Sequence, residues 1–331
     1  EGATAENNYT VNGVTYDSKT VNVKVTVTYN KETGELKAEL AKDSEAIAFQ
    51  NSYETKTSIG LEGTKSLSGR TLKDGEFTFE VKDKAGKVVA TGSNKSDGSI
   101  SFNNKLNYKL SDLEKADGSY ESEKTYEYTV NEVIPEGATA ENNYTVNGVT
   151  YDNSIFTVKV IVSYDQATGI MSAAFAEDSQ ELIFDNTYDA KGSLTLEASK
   201  TLKNKALEAD AFNFVLKDKN GETIQTVAND ADGNVTFSPL NYTLKDVGTH
   251  VYTVSEVQRE NTEVTYDTTE YTVEVTVADA GNGKLKVSKT IKKGDYTVDA
   301  IAFENIYKGV IDISGSKTWN DADNQDGIRP A

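Results

Sequence analysis

The chain has 331 residues, 34 basic and 53 acidic side chains, a formal charge of −19, no cysteine and a single histidine, His250. Without cysteine there is no disulfide framework, thiolate zinc site or cysteine nucleophile, and one histidine excludes multi-histidine metal centres and leaves any Ser-His-Asp chemistry to His250 alone. The acidic balance argues against nucleic acid and anionic membrane surfaces as partners, no run approaches the roughly 20 apolar residues that span a bilayer, and at about 100–200 residues per domain two or three domains are expected.

The chain opens at Glu1 without Met or a signal-peptide pattern, so it reads as a segment of something longer. Its first stretch, EGATAENNYTVNGVTYD (Glu1 to Asp17), recurs letter for letter as Glu136 to Asp152. Next, Val21, Val23, Val25, Val27 and Tyr29 alternate with polar residues, the period of a strand with one buried face. The first copy ends in AFQNSY (Ala48 to Tyr53), the second in IFDNTY (Ile183 to Tyr188) and a third in AFENIY (Ala302 to Tyr307).

Upstream of the last two endings lie matching pieces in the same order: LEGTKSL (Leu61 to Leu67) with LEASKTL (Leu196 to Leu202), FTFEVKDKAGK with FNFVLKDKNGE, and EYTVNEV (Glu127 to Val133) with VYTVSEV (Val251 to Val257). Turns are expected at Asp74-Gly75, Ala85-Gly86, Asp97-Gly98, Asn220-Gly221 and Asp232-Gly233. Ser111 to Ser122 is polar and reads as a loop with one helical turn. These repeats divide the chain into the second half of one domain (1–55), two whole domains (56–190 and 191–308) and the opening of a fourth (309–331). Short strands in units of this size predict an all-β fold of tandem β-sandwiches.

Side-chain parity is the informative signal. Lys65 lies in register with Ile59, Leu61 and Leu67, and Lys200 with Leu194, Leu196 and Leu202. Glu132 aligns with Tyr126, Tyr128 and Val130, and Glu256 with Tyr252 and Val254. Asn186 aligns with Leu182, Phe184 and Tyr188, and Asn305 with Ile301, Phe303 and Tyr307. Each whole domain thus points one Lys, one Glu and one Asn inward. Unpaired burial of such groups costs several kcal/mol, so the three meet or change ionisation. Desolvation lowers a lysine pKa and raises a glutamate pKa, and a neutral amine is a nucleophile while a protonated carboxyl can polarise an amide and shuttle protons. The expected reaction is attack of Lys Nζ on the Asn carboxamide with Glu as proton relay and loss of ammonia. Phe77, Phe79, Phe212 and Phe214 are candidate walls excluding water. A plain buried Lys–Glu ion pair is the commoner arrangement, but it leaves the Asn without a purpose.

The order K-x-L, Y-x-V-x-E-V, V-T-Y-D and F-x-N-x-Y resembles the pilin isopeptide-linkage domains of Gram-positive pili and surface adhesins, over 56–308 as two complete units and 1–55 as a half unit. The resemblance implies immunoglobulin-like sandwiches whose first and last strands are joined by intramolecular isopeptide bonds, Lys65–Asn186 with Glu132 catalytic and Lys200–Asn305 with Glu256 catalytic. It leaves Asn51 and Lys317 as unpaired cross-link candidates. SKTWNDADNQDGIRP (Ser316 to Pro330) is similar to the opening of a Cna-B type domain, where Ile311, Ile313, Gly315, Lys317 and Trp319 repeat the first-strand parity. It further implies an extracellular, cell-wall-anchored stalk segment with neighbouring domains head to tail, peptidoglycan reached through a sortase signal outside this stretch, and no cofactor.

The rival function is an adhesin module that binds an unknown host ligand. Near-identical repeats favour a spacer. A two-carboxylate hydrolase has little support, since the inward Glu occurs once per domain with no second carboxylate motif beside it. Asp321, Asp323 and Asp326-Gly327 fail the spacing of a calcium loop. No proline is followed by lysine, so no Y-P-K polymerisation motif is visible, and His250 reads as structural or solvent-facing.

Overall fold

The computed structural model describes residues 2–309, 313–320 and 327. The chain forms two compact units, Glu1–Val146 with Thr150–Thr187, and Asn147–Val149 with Tyr188–Ala331. Its described residues are almost entirely strands joined by turns, with only single turns of 3₁₀ helix.

The first sandwich has a six-stranded antiparallel sheet in the spatial order Ile100–Phe102, Val88–Asn94, Thr78–Asp83, Glu123–Glu132, Ile155–Asp165, Ile170–Phe175. A four-stranded sheet covers it, in the order Thr145–Val146, Val149–Thr150, Ile183–Tyr188, Thr64–Ser68. Phe184 of the second sheet packs against Phe79 and Phe156 of the first, with ring centroids 4.7 and 4.8 Å apart. Phe79, Val81, Val130, Val160 and Val162 complete a solvent-free core. Alternation explains the layering: in Glu123–Glu132, Tyr128, Val130 and Glu132 are buried while the residues between them are at least partly open to solvent.

One pairing is parallel. The strand that opens this sandwich lies beside the strand that closes it, with Lys65 opposite Phe184 and Leu67 opposite Asn186. A parallel pair needs a long crossover, and here the crossover is the rest of the sandwich.

The second sandwich repeats the plan. Its six-stranded sheet runs Thr223–Ala228, Asn213–Lys217, Gly248–Glu256, Glu270–Asp279, Leu285–Lys293, Tyr296–Val298. The covering sheet runs Asn234–Thr236, Glu197–Lys203, Ile301–Tyr307, Val264–Thr265. Glu197–Lys203 and Ile301–Tyr307 are again parallel, with Lys200 opposite Phe303 and Leu202 opposite Asn305.

Three of the five expected Gly turns join paired strands, and all five have positive φ at glycine. Asp74-Gly75 and Asp232-Gly233 instead carry the chain from one sheet to the other. The helical turn expected within Ser111 to Ser122 is a 3₁₀ turn, Leu110–Leu113, anchored by burial of both leucines. His250 is structural: its ring donates to the Asp246 carbonyl at 2.7 Å and lies between the rings of Tyr242 and Tyr252.

Residues 2–55 depart from expectation. Val25–Tyr29 pairs with Leu36–Leu40 as a hairpin, but every residue of both strands is exposed, although the alternation predicted one buried face. The homologous strand Ile155–Asp165 buries Val158, Val160 and Val162 and pairs along its edge with Glu123–Glu132, a strand supplied by residues 56–135. Nothing among the described residues plays that part for Val25–Tyr29. Alternation reports which face is apolar, and only a partner layer can bury it.

Candidate cross-linking site

Lys65, Glu132 and Asn186 meet in the dry interior of the first sandwich. Lys65 Nζ donates to Glu132 Oε2 at 2.9 Å, and Asn186 Nδ2 donates to Glu132 Oε1 at 2.7 Å. In the second sandwich Lys200 Nζ reaches Glu256 Oε2 and Asn305 Nδ2 reaches Glu256 Oε1, both at 2.6 Å. The lysine and glutamate side chains of both trios have no solvent-exposed surface. One carboxyl group therefore bridges an amine and a carboxamide, one oxygen to each.

Local sequence sets each part in place. The lysine strand is held at its backbone by a glycine turn: Lys65 N–H donates to the Gly98 carbonyl and Lys200 N–H to that of Gly233, both at 2.7 Å. Gly98 and Gly233 have φ of 90° and 84°, and a Cβ on Gly233 would lie 2.2 Å from the Lys200 carbonyl oxygen, so only glycine fits there. Phe77 walls the first amine at 4.9 Å from Nζ to ring centroid, and Phe212 walls the second at 4.6 Å. Phe79 and Phe214 line the core behind, against Phe184 and Phe303.

Burial dominates the electrostatics. Desolvation pulls the Lys65 and Lys200 amines below the ordinary lysine value of 10.5, with the hydrogen bond to glutamate opposing it. Desolvation likewise pushes Glu132 and Glu256 above 4.5, against their bonds to lysine and asparagine. Both directions favour a neutral amine beside a protonated carboxyl.

Two contributors escaped the reading by parity. The backbone N–H of Asp152 donates to Asn186 Oδ1 at 2.7 Å, and that of Asp267 to Asn305 Oδ1 at 2.7 Å. The amide carbonyl is thus polarised by a backbone N–H, while the glutamate holds the amide nitrogen; parity had given the glutamate both tasks. The Asp152 carboxylate clamps this corner, accepting from Ser154 N–H and Asp185 N–H at 2.9 Å each. Desolvation raises its pKa, but those hydrogen bonds outweigh it and hold the group below 3.8. Asp267 repeats the clamp on Thr269 and Glu304. The aspartate ends the recurring V-T-Y-D, which was the available signal. The second contributor is Asn94, fully buried, which accepts the Phe77 N–H at 2.8 Å and donates to the Lys73 and Lys95 carbonyls. Asn229 does the same for Phe212. Both stand four residues before the glycine that holds the lysine strand.

The unpaired candidates differ. Asn51 has the same corner, with the Asp17 N–H donating to its Oδ1 at 3.0 Å and Asp17 accepting from Gln50 and Lys19 N–H at 3.0 Å each. No lysine or glutamate meets its amide among the described residues. Lys317 is exposed, its Nζ 3.8 Å from the Trp319 ring centroid. Ile311, Asp321, Asp323, Asp326 and Pro330, on which the expected Cna-B opening leans, lie outside the described residues.

The sequence matches the family model described as "Spy0128-like isopeptide containing domain" (FctA) over residues 3–54, 61–189 and 196–308. The chain belongs to this family of isopeptide-containing domains. Among solved structures it is similar to the major pilin from Streptococcus pyogenes, at 18% identity and a TM-score of 0.28, covering 76% of this chain and 98% of the pilin. It is also similar to the C-terminal fragment of the pilus adhesin SpaC from Lactobacillus rhamnosus GG, at 13% identity and a TM-score of 0.29, covering 77% and 99%. The Bacillus anthracis TIE protein aligns at 12% identity and a TM-score of 0.25, over 89% of this chain and 42% of that one. A comparison with curated proteins yields no match. No helix among the described residues is long and apolar enough to cross a membrane.

Proposed function

We propose that this chain is a structural segment of a pilus or surface stalk whose sandwiches cross-link themselves, Lys65 to Asn186 and Lys200 to Asn305. Its working units are residues 56–190 and 191–308, preceded by a half-unit (1–55) and followed by the start of a Cna-B type domain (309–331). They follow one another head to tail on the outside of the cell, and attachment to the wall belongs to sequence outside residues 1–331. The observation that carries this reading is the buried bridge, in which a single carboxyl touches both the amine and the carboxamide in each sandwich.

The chemistry follows from that bridge. With the proton moved from Lys to Glu, the neutral Nζ attacks Cγ of the asparagine. Negative charge develops on Oδ1, where the Asp152 or Asp267 N–H already points, an arrangement that stabilises a tetrahedral intermediate. One glutamate oxygen takes the proton that Nζ sheds, and the carboxyl delivers a proton to Nδ2. The Cγ–Nδ2 bond breaks, ammonia leaves, and the Cγ–Nζ amide remains. The reaction runs once per sandwich, with no cofactor and no turnover.

Intact mass tests this directly. The chain is expected to weigh two ammonia molecules less than its sequence, and a mass equal to the sequence would overturn the proposal.

A further inference from the structure

Each lysine amine is fixed from two directions, and one buried side chain ties the two together. Asn94 and Asn229 are 0% and 2% exposed, and their side chains bond to backbone groups. Asn94 Oδ1 accepts the N–H of Phe77, the residue whose ring lies beside Lys65 Nζ, at 2.8 Å. Its Nδ2 donates to the Lys95 carbonyl at 3.2 Å. That carbonyl also accepts the Gly98 N–H at 3.0 Å, and the Gly98 carbonyl in turn accepts the Lys65 N–H at 2.7 Å. The ring beside the amine and the backbone that carries it therefore share one asparagine. The second sandwich repeats the path: Phe212 N–H to Asn229 Oδ1 at 2.9 Å, and Asn229 Nδ2 to the Asp230 carbonyl at 2.7 Å. Gly233 N–H then meets that carbonyl at 3.2 Å, and Lys200 N–H meets the Gly233 carbonyl at 2.7 Å.

The flanking side chains do not repeat. Lys73 and Lys95, whose carbonyls Asn94 holds, are replaced in the second sandwich by Glu208 and Asp230, of opposite charge. What recurs is the backbone path and the amide, a side chain whose acceptor and two-proton donor are all satisfied there. A latch for loops alone has no need to end on the two groups that fix the amine. We propose that Asn94 and Asn229 are positioning residues for the cross-linking reaction, each holding the phenylalanine ring and the lysine backbone at the spacing that keeps the amine dry and in reach of the carboxamide. The inference rests on the chemistry proposed above. Displacing the ring admits water to the amine, and desolvation is what pulls Lys65 below 10.5. The charged groups acting on that amine, Glu132, Asp152 and Asp185, lie on other segments of the sandwich.

The test starts from the full chain unfolded in urea before its bonds have formed. Folding is begun by dilution at a range of pH, and the two ammonia losses are followed by mass at timed quenches, with peptide mapping to separate the sites. Asn94→Ala is expected to slow the Lys65–Asn186 bond by about tenfold or more, to move the rising limb of its rate profile to higher pH, and to leave the Lys200–Asn305 rate unchanged. Asn229→Ala should do the reverse. Phe77→Leu keeps Asn94 and should slow the first site in the same way. With Asn94→Ala added to it, the slowing should fall well short of the product of the two single effects. Lower protease resistance with an unchanged rate and pH profile would make Asn94 a loop holder only and overturn the inference, as would single effects that multiply. If Asn94→Ala does not fold, an unchanged first-site rate in Phe77→Leu overturns it instead. These results leave the proposed function standing, whereas absence of ammonia loss in the unsubstituted chain would overturn both.

Discussion

Residues 2–17 and 137–152 share every letter, yet they teach different things about what a sequence controls. The backbone of each copy is the same: Asn8 and Asn143 end a 3₁₀ turn in the left-handed region, Asn12 and Asn147 enter that region again in a strand-to-strand turn before a glycine, and the aspartate–asparagine clamp closes at 3.0 Å in one and 2.7 Å in the other. Burial is what separates them. Local hydrogen bonding travels with the segment, whereas the dry environment that changes the ionisation of Lys65 and Glu132 is supplied by the other half of the sandwich.

Breaking the second copy's link should have the largest effect. Asn186→Ala would remove the proposed link, which closes about 120 residues between Lys65 and Asn186 and is worth roughly 4–5 kcal/mol by loop entropy. In calorimetry the melting temperature of the first sandwich should fall by roughly 10 °C or more. Asn51→Ala should leave the melting profile unchanged, and an equal fall in the two variants would erase the distinction between the copies.

Glu132→Ala should forfeit the same link and add a local defect. It leaves Lys65 buried without its partner at 2.9 Å, a defect of about 3–5 kcal/mol in an ion-paired site, and the chain should then be lighter by one ammonia, lost from Asn305. Loss at both sites in this variant would mean that Glu132 is not the proton relay.

Asp152→Ala should cost about 1–2 kcal/mol through two backbone hydrogen bonds, and it should slow bond formation in the first sandwich alone. Because the folded pKa of Asp152 is depressed, its contribution is present above the ordinary carboxylate value and vanishes as pH falls through the lower folded value. Urea titrations of wild type and variant should therefore converge in strong acid.

The mildest expectation concerns pH and reaction rate. The lysines lose their protons below 10.5 and the glutamates keep theirs above 4.5. Bond formation after refolding should rise from acid through the lowered lysine value and decline once the carboxyl ionises. A rate that climbs only near pH 10.5, followed by mass at timed quenches, would show that the lysine is not perturbed.

Which side chains face inward was legible because strand alternation is a geometric rule: Lys65 follows Leu61 by an even step, as Glu132 follows Val130. The neighbours that hold them were less so. The Asp152 N–H is a backbone group, invisible to any argument from side-chain type. Asn94 lies outside the parity frame because its task is to hold the loops around Phe77. The parallel contact between the opening and closing strands could not be read from Lys65 or Asn186 themselves; the family resemblance implied only that those two strands are joined. The exposure of Val25 and Val27 shows the limit from the other side, since a pattern cannot say whether its complement is present.

The parallel contact of Thr64–Ser68 with Ile183–Tyr188 also sets how far a stalk can lengthen. Were these strands merely hydrogen-bonded, a pull that parted them would release some 120 residues of slack, on the order of 400 Å of contour length for one module. The proposed Lys65–Asn186 weld would lock that reserve away and make a line built from such modules a tether of nearly constant reach.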